Sequence, residues 1–376
     1  MDLQYSPEQI QLRESVERFV REEYDFARRR RLVAAEPGHD EACWQRYAQF
    51  GWLAVPFDEE DGGIGGDAVD LGIVMEGVGR GLLLEPYLAN VVLAGGMLSA
   101  LASAGQRAQW LTPMMNGELK LALAYSEPGA RYETSHCALR AVREGDHYVL
   151  EGGKSLVYGG GVADALVVVA RTRGDTADTD GLCAFVVAAD AAGLTANRYA
   201  THDGSRAADF AFDRVMVPVA NLLGAHGEAF DALERVIDRA IAAVASEAVG
   251  AMAVLVDATL EYLKTRQQFG RTIGTNQALQ HRMVDMTIAL DEARSMALYG
   301  ALMLTDPDAN ARRKALSATK IEIDRTARLV GQEAVQLHGA MGVTEELAVG
   351  HYFKRLSMIA VTFGDSNWHL ARHARC

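Results

Sequence analysis

Arg266, Gln267 and Gln268 close a long helix-forming stretch, and Phe269 follows them. Gly270 and Gly274 are points where the backbone can leave and re-enter helix. Thr275, Asn276 and Gln277 then open the next helical stretch with side chains that can cap it or hydrogen-bond. A guanidinium and several amides at helix ends suit a pyrophosphate or another anion. They equally suit an interhelical turn whose arginine is simply solvated. Other chemistries find less support. The ten histidines form no HExxH or similar ligand pair, so no metal site is expected. Cys43, Cys137, Cys183 and Cys376 are scattered without CxxC spacing and read as reduced thiols of a cytoplasmic protein. A net charge of −13 argues against nucleic acid or an anionic membrane as a partner.

The elements that must carry these residues follow from pattern. With 376 residues, 49% of them hydrophobic, the chain can bury a large core and form more than one domain. Ser6, Pro7 and Glu8 read as the cap and first turn of a helix running to about Arg31, its basic end solvated. A second helix is expected from about Glu41 to Phe50, stopping at Gly51. The loop Pro56 to Gly66 is glycine-rich, but its acids would repel phosphate, so it reads as structural. Further helices are expected at Val69 to Gly79, Pro86 to Ala104 and Gln106 to Met115. The apolar run Val91 to Ala104 is too short to span a bilayer. From about Leu119 the pattern turns to strands, at Leu121 to Ser126, Tyr148 to Leu150, Ala165 to Ala170, Leu182 to Val187 and Asp209 to Phe212. Arg171 to Asp180 reads as an exposed polar loop. Long helices return at Phe230 to Arg266, Asn276 to Leu304, Asp308 to Gly339 and from Asn367 onward, consistent with an antiparallel bundle. The expected class is α+β, mainly α. It comprises an N-terminal helical domain over 1–118, a middle β-barrel or sandwich over 119–227 and a helical bundle over 228–376.

Three segments, in one order, resemble the acyl-CoA dehydrogenase family and together span most of the chain. They are Tyr125-Ser126-Glu127-Pro128-Gly129-Ala130, Arg266-Gln267-Gln268-Phe269-Gly270 with Ile273-Gly274, Gln277 and Gln280, and Gln336-Leu337-His338-Gly339-Ala340-Met341-Gly342-Val343-Thr344. The resemblance implies the family's fold with its C-terminal four-helix bundle, FAD as cofactor, and α,β-desaturation of an acyl-CoA thioester. Electrons would pass to an electron-transfer flavoprotein. Arg266 and Phe269, with Gln277 close by, would reach a flavin held mainly by a neighbouring subunit. The loop from Gln336 through Gly339 and Gly342 would lie against its adenine-diphosphate half. Ser126, where the family usually has Thr, would bond the flavin ring. The segment Gly81 to Leu88 resembles the small subunit of pimeloyl-CoA dehydrogenases and related heteromeric enzymes, the steroid side-chain type among them.

The chain departs from the family at informative places. Arg131-Tyr132-Glu133 replaces a run of small residues on the CoA side. Leu156 stands at an aromatic slot and Tyr158 at a Thr slot, either as a substitute hydrogen-bond partner or filling the flavin's place. The usual catalytic Glu slot holds Phe363, and the alternative slot on the first long bundle helix holds Ala240. Two carboxylates remain as candidate bases. Asp365 is two residues past Phe363 and also fits a helix cap with Ser366 and Asn367. Glu247 is seven residues past Ala240, on the same helix face about 10.5 Å further along. It can serve as base or pair with Arg239, Arg235 or a partner chain. The leading expectation is one subunit of a heteromeric acyl-CoA dehydrogenase that needs a related chain. A non-catalytic structural or regulatory subunit and a self-assembling flavoenzyme of divergent chemistry, as homodimer or tetramer, are the alternatives. Dicarboxyl and steroid side-chain CoA thioesters both stay open as substrates.

Overall fold

The computed structural model describes residues 4–376. Helices α1 (Pro7–Glu23), α2 (Phe26–Ala34), α3 (Glu41–Gln49) and α4 (Ala68–Gly81) come first. A π-helical run, Leu88–Gly95, leads into α5 (Gly96–Leu101), and the short α6 (Ala104–Gln106) and α7 (Thr112–Met115) follow. Strands are β1 (Leu121–Ala124), β2 (Arg140–Glu144), β3 (His147–Tyr158), β4 (Ala165–Arg171), β5 (Leu182–Ala188), β6 (Leu194–Ala200), β7 (Arg206–Pro218) and β8 (Leu222–Leu223). Then come α8 (Ala229–Thr265), the two-residue strands β9 (Gln267–Gln268) and β10 (Arg271–Thr272), α9 (Gln277–Met303), α10 (Ala309–His338), α11 (Ala348–Val361) and α12 (Ser366–Arg375). The chain forms two compact units interleaved along the sequence. One comprises Met1–Arg31, Ala68–Leu83 and Ile241–Cys376, the other Leu32–Asp67 and Leu84–Ala240.

The second unit is built on a sheet ordered β6-β7-β3-β2-β4-β5-β8, with β1 added in parallel beside β4. Every residue of β4 is buried, which explains its unbroken apolar run in place of alternation. β2 and β6 are polar and half-exposed, so the apolar pattern does not reveal them. The stretch from Arg171 to Asp180 is largely exposed, as expected, with one exception: Arg171, at the end of β4. It is fully buried, and its guanidinium donates to the carbonyls of Ser135, Cys137, Arg173, Thr176, Asp178 and Asp180. The exposed polar stretch therefore wraps around one buried cation.

In the first unit, Ser6 caps α1 in a capping box with Gln9, but the helix ends at Glu23 and α2 begins afresh at Phe26. Nor is the basic run wholly solvated. Arg29 is buried and bonds the Leu82 carbonyl at 3.0 Å and His351 Nδ1 at 3.0 Å. α4 and α8 cross backbone to backbone. A Cβ on Gly79 would lie 1.9 Å from the Glu247 carbonyl oxygen, and one on Gly250 would lie 2.0 Å from that of Glu76. α10 packs against α9, α11 and α12. Among the described residues one helix, α8, is long and apolar enough to cross a membrane, but its most apolar window is 89% buried, as befits a core helix.

Candidate active site

The turn after α8 is a small β-hairpin, not a plain interhelical loop. Gln267 pairs with Thr272 and Gln268 with Arg271. Phe269 sits at its tip in the left-handed region (φ 52°) and is 99% exposed. Asn276 precedes α9 without a side-chain cap bond to the helix. Its amide instead donates to the Ile273 carbonyl and its oxygen accepts from Arg271. Gln277 is exposed at the first turn of α9.

Beside the hairpin is a groove of about 400 Å³ that brings together two motifs seventy residues apart in sequence. Arg266, Gln268 and Arg282 line it from one side, and Gln336, His338, Gly339 and Met341 from the other. His338 stacks on Tyr262 at 4.4 Å between ring centroids, giving the groove an aromatic wall. Burial lowers the His338 pKa against the hydrogen bond that Nδ1 donates to the Ala334 carbonyl, which favours the neutral imidazole. Arg282 is engaged by Glu333 at 3.1 Å, whereas Arg266 has no carboxylate partner among the described residues. Gly339 ends α10 at φ 60° and ψ −141°, a conformation that only glycine adopts readily, and its absent Cβ faces open space. Gly342 serves packing, because a Cβ there would come 2.8 Å from the Val335 carbonyl oxygen. An unpaired guanidinium and the Gln268 and Gln336 amides form the donor set that a diphosphate requires, and Gly339 leaves the approach to them open, so these residues fit that half of FAD.

In the sheet unit, Ser126 lies two residues past the end of β1, and its carbonyl accepts from Ser155 N at 2.9 Å. β3 is irregular between Lys154 and Val157, and Leu156 there has φ 51°. Its N–H donates to Asp209, which also accepts from the Tyr199 hydroxyl. Tyr158 closes β3 opposite Ala207, and burial, then the Tyr158 phenol, raises the pKa of Tyr125. A buried pair ties the Ser126 and Ser155 segments together. Lys154 Nζ lies 2.6 Å from Glu127 and 3.1 Å from the Tyr125 carbonyl oxygen. Burial alone would raise the Glu127 pKa, but Lys154 and the N–H groups of Ala138 and Leu139 bring it below the ordinary value.

The candidate bases have defined partners. Glu247 is buried, and both its oxygens are taken by the Arg355 guanidinium, at 2.5 and 2.7 Å. That partner is neither Arg235 nor Arg239, which lie roughly 18 and 12 Å back along α8, but Arg355 of α11. Asp365 caps α12, accepting from Trp368 N at 2.9 Å. Phe363 is buried in the turn before it with φ 57°, and Ala240 is fully buried. Among the described residues, no three His, Cys, Asp or Glu side chains gather as a metal site. Among the described residues six non-glycine residues have positive φ, and four of them, Arg131, Leu156, Phe269 and Phe363, lie in the segments singled out for chemistry. Such strain persists where surrounding contacts impose it and collects at functional sites.

Three family models cover nearly all of the chain: acyl-CoA dehydrogenase N-terminal domain over 6–118, middle domain over 122–215 and C-terminal domain over 220–376. The chain belongs to the acyl-CoA dehydrogenase family. The short-chain specific acyl-CoA dehydrogenase of Clostridium acetobutylicum is 29% identical over 97% of both chains. The mitochondrial short-chain specific enzyme of Sus scrofa is 31% identical over 85% of this chain and 78% of its own. A variant of the Tcur3481–Tcur3483 steroid ACAD superposes with a TM-score of 0.86 at 27% identity, covering 98% of this chain and 97% of that one. An FAD-dependent oxidoreductase that dehydrogenates acyl-CoA follows for this chain. Within the family frame, the pairs Glu127–Lys154 and Glu247–Arg355 were not foreseen. A buried Lys or Arg opposite a carboxylate leaves no short-range signal when the partners are tens of residues apart.

Proposed function

We propose that this chain is one half of a heteromeric acyl-CoA dehydrogenase, in which it holds the diphosphate of a shared FAD while a related chain supplies the base. The carrying observation is the groove that unites unpaired Arg266 with Gln336 and Gly339 beside the exposed Phe269 tip. When bound, FAD supplies the acceptor that takes the β-hydrogen as hydride. Arg266 would neutralise phosphate charge, with the Gln336 amide as a further donor and Gly339 leaving room for the diphosphate to approach. Gln277, exposed at the start of α9, would contact the cofactor from outside the groove, and Gly342 would hold the loop's shape. In the sheet unit, Ser126 and Tyr158 would offer hydroxyls to a flavin ring, held in place by the Glu127–Lys154 pair.

The base argument is one of chemistry. The α-proton of a thioester needs an acceptor within reach, and neither phenyl at 363 nor methyl at 240 provides one. Bidentate pairing with Arg355 favours a structural role for Glu247, and capping of α12 favours one for Asp365. The related steroid ACAD is named for two gene products, which fits a two-chain arrangement. Other expectations for this chain are an electron-transfer flavoprotein as electron acceptor and the cytoplasm as location.

The test is FAD per chain in the isolated protein and in its assemblies, read from flavin absorbance. FAD should rise with assembly. Arg266→Ala should weaken it about 10- to 100-fold, the loss of one charge-assisted contact of about 1.5–3 kcal/mol. Full FAD occupancy in a stable monomer would overturn the proposal.

A further inference from the structure

The turn Thr362 to Asp365 between α11 and α12 is held from beneath by buried polar groups that the reading above does not use. Lys320 of α10 is fully buried. Its ammonium donates to the carbonyls of Ala360 at 3.1 Å and Gly364 at 2.8 Å, and to Asp324 at 2.7 Å. All three of its protons are therefore engaged. The second Asp324 oxygen accepts from the Ser366 hydroxyl at 3.1 Å. His369 of α12, also fully buried, lies with Nε2 3.0 Å from the Phe363 carbonyl oxygen and Nδ1 3.3 Å from Ser317 Oγ. A carbonyl can only accept, so Nε2 carries the proton and bare Nδ1 accepts from the Ser317 hydroxyl. Gly364 makes this approach possible. It has φ 117°, and a Cβ there would lie 2.5 Å from His369 Nε2.

We propose that Lys320 and His369 are positioning residues: by fixing the carbonyls of Ala360, Phe363 and Gly364, they set the direction of the side chain at 363 against the acyl-CoA. The inference rests on the reading that position 363 is the family's base position. The bonds that Lys320 and His369 make to this segment go to the carbonyls of Ala360, Phe363 and Gly364 and none to the side chain at 363, so the direction imposed is independent of which side chain stands there. Phe363 occupies a left-handed conformation that a bulky residue disfavours, and the cation and imidazole beneath it are what hold it there.

The test uses Lys320→Met, His369→Leu and His369→Gln in the full chain, assembled with its partner and loaded with FAD. Glutamine places an amide donor near the position of Nε2, whereas leucine removes it. Two readouts are taken: amide hydrogen exchange of the peptide 358–368, and KM and kcat for acyl-CoA. Lys320→Met and His369→Leu should raise exchange in that peptide about tenfold or more relative to the rest of the bundle. They should also raise KM with FAD content unchanged, and His369→Gln should restore both. Unchanged exchange in Lys320→Met and His369→Leu would overturn the holding role. Faster exchange with unchanged KM and kcat would leave the turn held as described but overturn its link to acyl-CoA, and with it the placement of position 363. If Lys320→Met does not fold, the His369 pair alone decides between these outcomes.

Discussion

At the scale of residues, the sequence exposes cations and glycines better than it exposes pairs. The types and order of Arg266, Gln336 and Gly339 single them out in the sequence, and the fold brings all three to one groove. The partner of Glu247 was not legible, because Arg355 is 108 positions away and becomes a neighbour only through packing. This pair gives a clear expectation. Glu247→Ala should lower stability by about 3 kcal/mol, since it strands a largely buried guanidinium, and the urea midpoint should fall accordingly. Normal stability with abolished α-proton exchange would instead assign Glu247 to the chemistry. Phe269 calls for the opposite expectation. It is almost wholly exposed at positive φ, so Phe269→Asn removes strain without removing a contact within the chain. Thermal unfolding of the unassembled chain should stay level or rise by a degree or two, while FAD retention by the assembly falls. A drop in the unassembled chain's stability would show that Phe269 packs within its own chain.

At the scale of elements, long periodic helices and buried strands were read correctly from pattern, since burial on one stripe or on both faces writes itself into hydrophobic spacing. β6, with its polar Leu-Thr-Ala-Asn-Arg-Tyr-Ala sequence, and α11 were missed. α11 opens at Leu347 with no capping side chain and no acid in its first turn, so no start signal marks it. The α4–α8 crossing was also invisible, although Gly79 and Gly250 mark it once their surroundings are known. Gly79→Ala or Gly250→Ala should cost about 1–3 kcal/mol, because each methyl would collide with a helix backbone that cannot rotate away. Calorimetry should find the melting point of both variants lowered, and an unchanged value would mean the helices part freely. α12 adds a pH dependence. Burial first, then the charges of Lys320 and Arg372, push His369 down to about 3. The unfolded chain takes up a proton below about 6.5, while the folded one stays neutral until about 3. This residue therefore withdraws stability as pH falls through that window. The loss of urea resistance between pH 6 and 4 should be shallower in His369→Gln than in the parent, and an equal slope would remove His369 as a cause.

At the scale of the whole molecule, the three family domains follow one another along the sequence, yet the compact units interleave, with α8 passing from one to the other. No local pattern announces that exchange, because contact between distant segments decides it. The assembly carries the last expectation. Co-expression with a related chain bearing a Glu at one of the two base slots should give a mixed oligomer. Its flavin should be reduced by acyl-CoA far faster than in either chain alone, as expected when a general base worth about 10²–10⁴-fold is restored. Rapid reduction in the pure protein would end the two-chain reading and return Glu247 or Asp365 to the role of base.

The turn at Phe363 also bears on history. Because its supports grip only main-chain oxygens, one codon at 363 can change without disturbing the backbone that presents it. After a gene duplication, one copy could thus lose its proton acceptor in a single step and remain a well-folded protein that still assembles. Its sister would keep the chemistry. Dependence of one chain on the other then needs no new interface, only a substitution at a position whose backbone supports are indifferent to it.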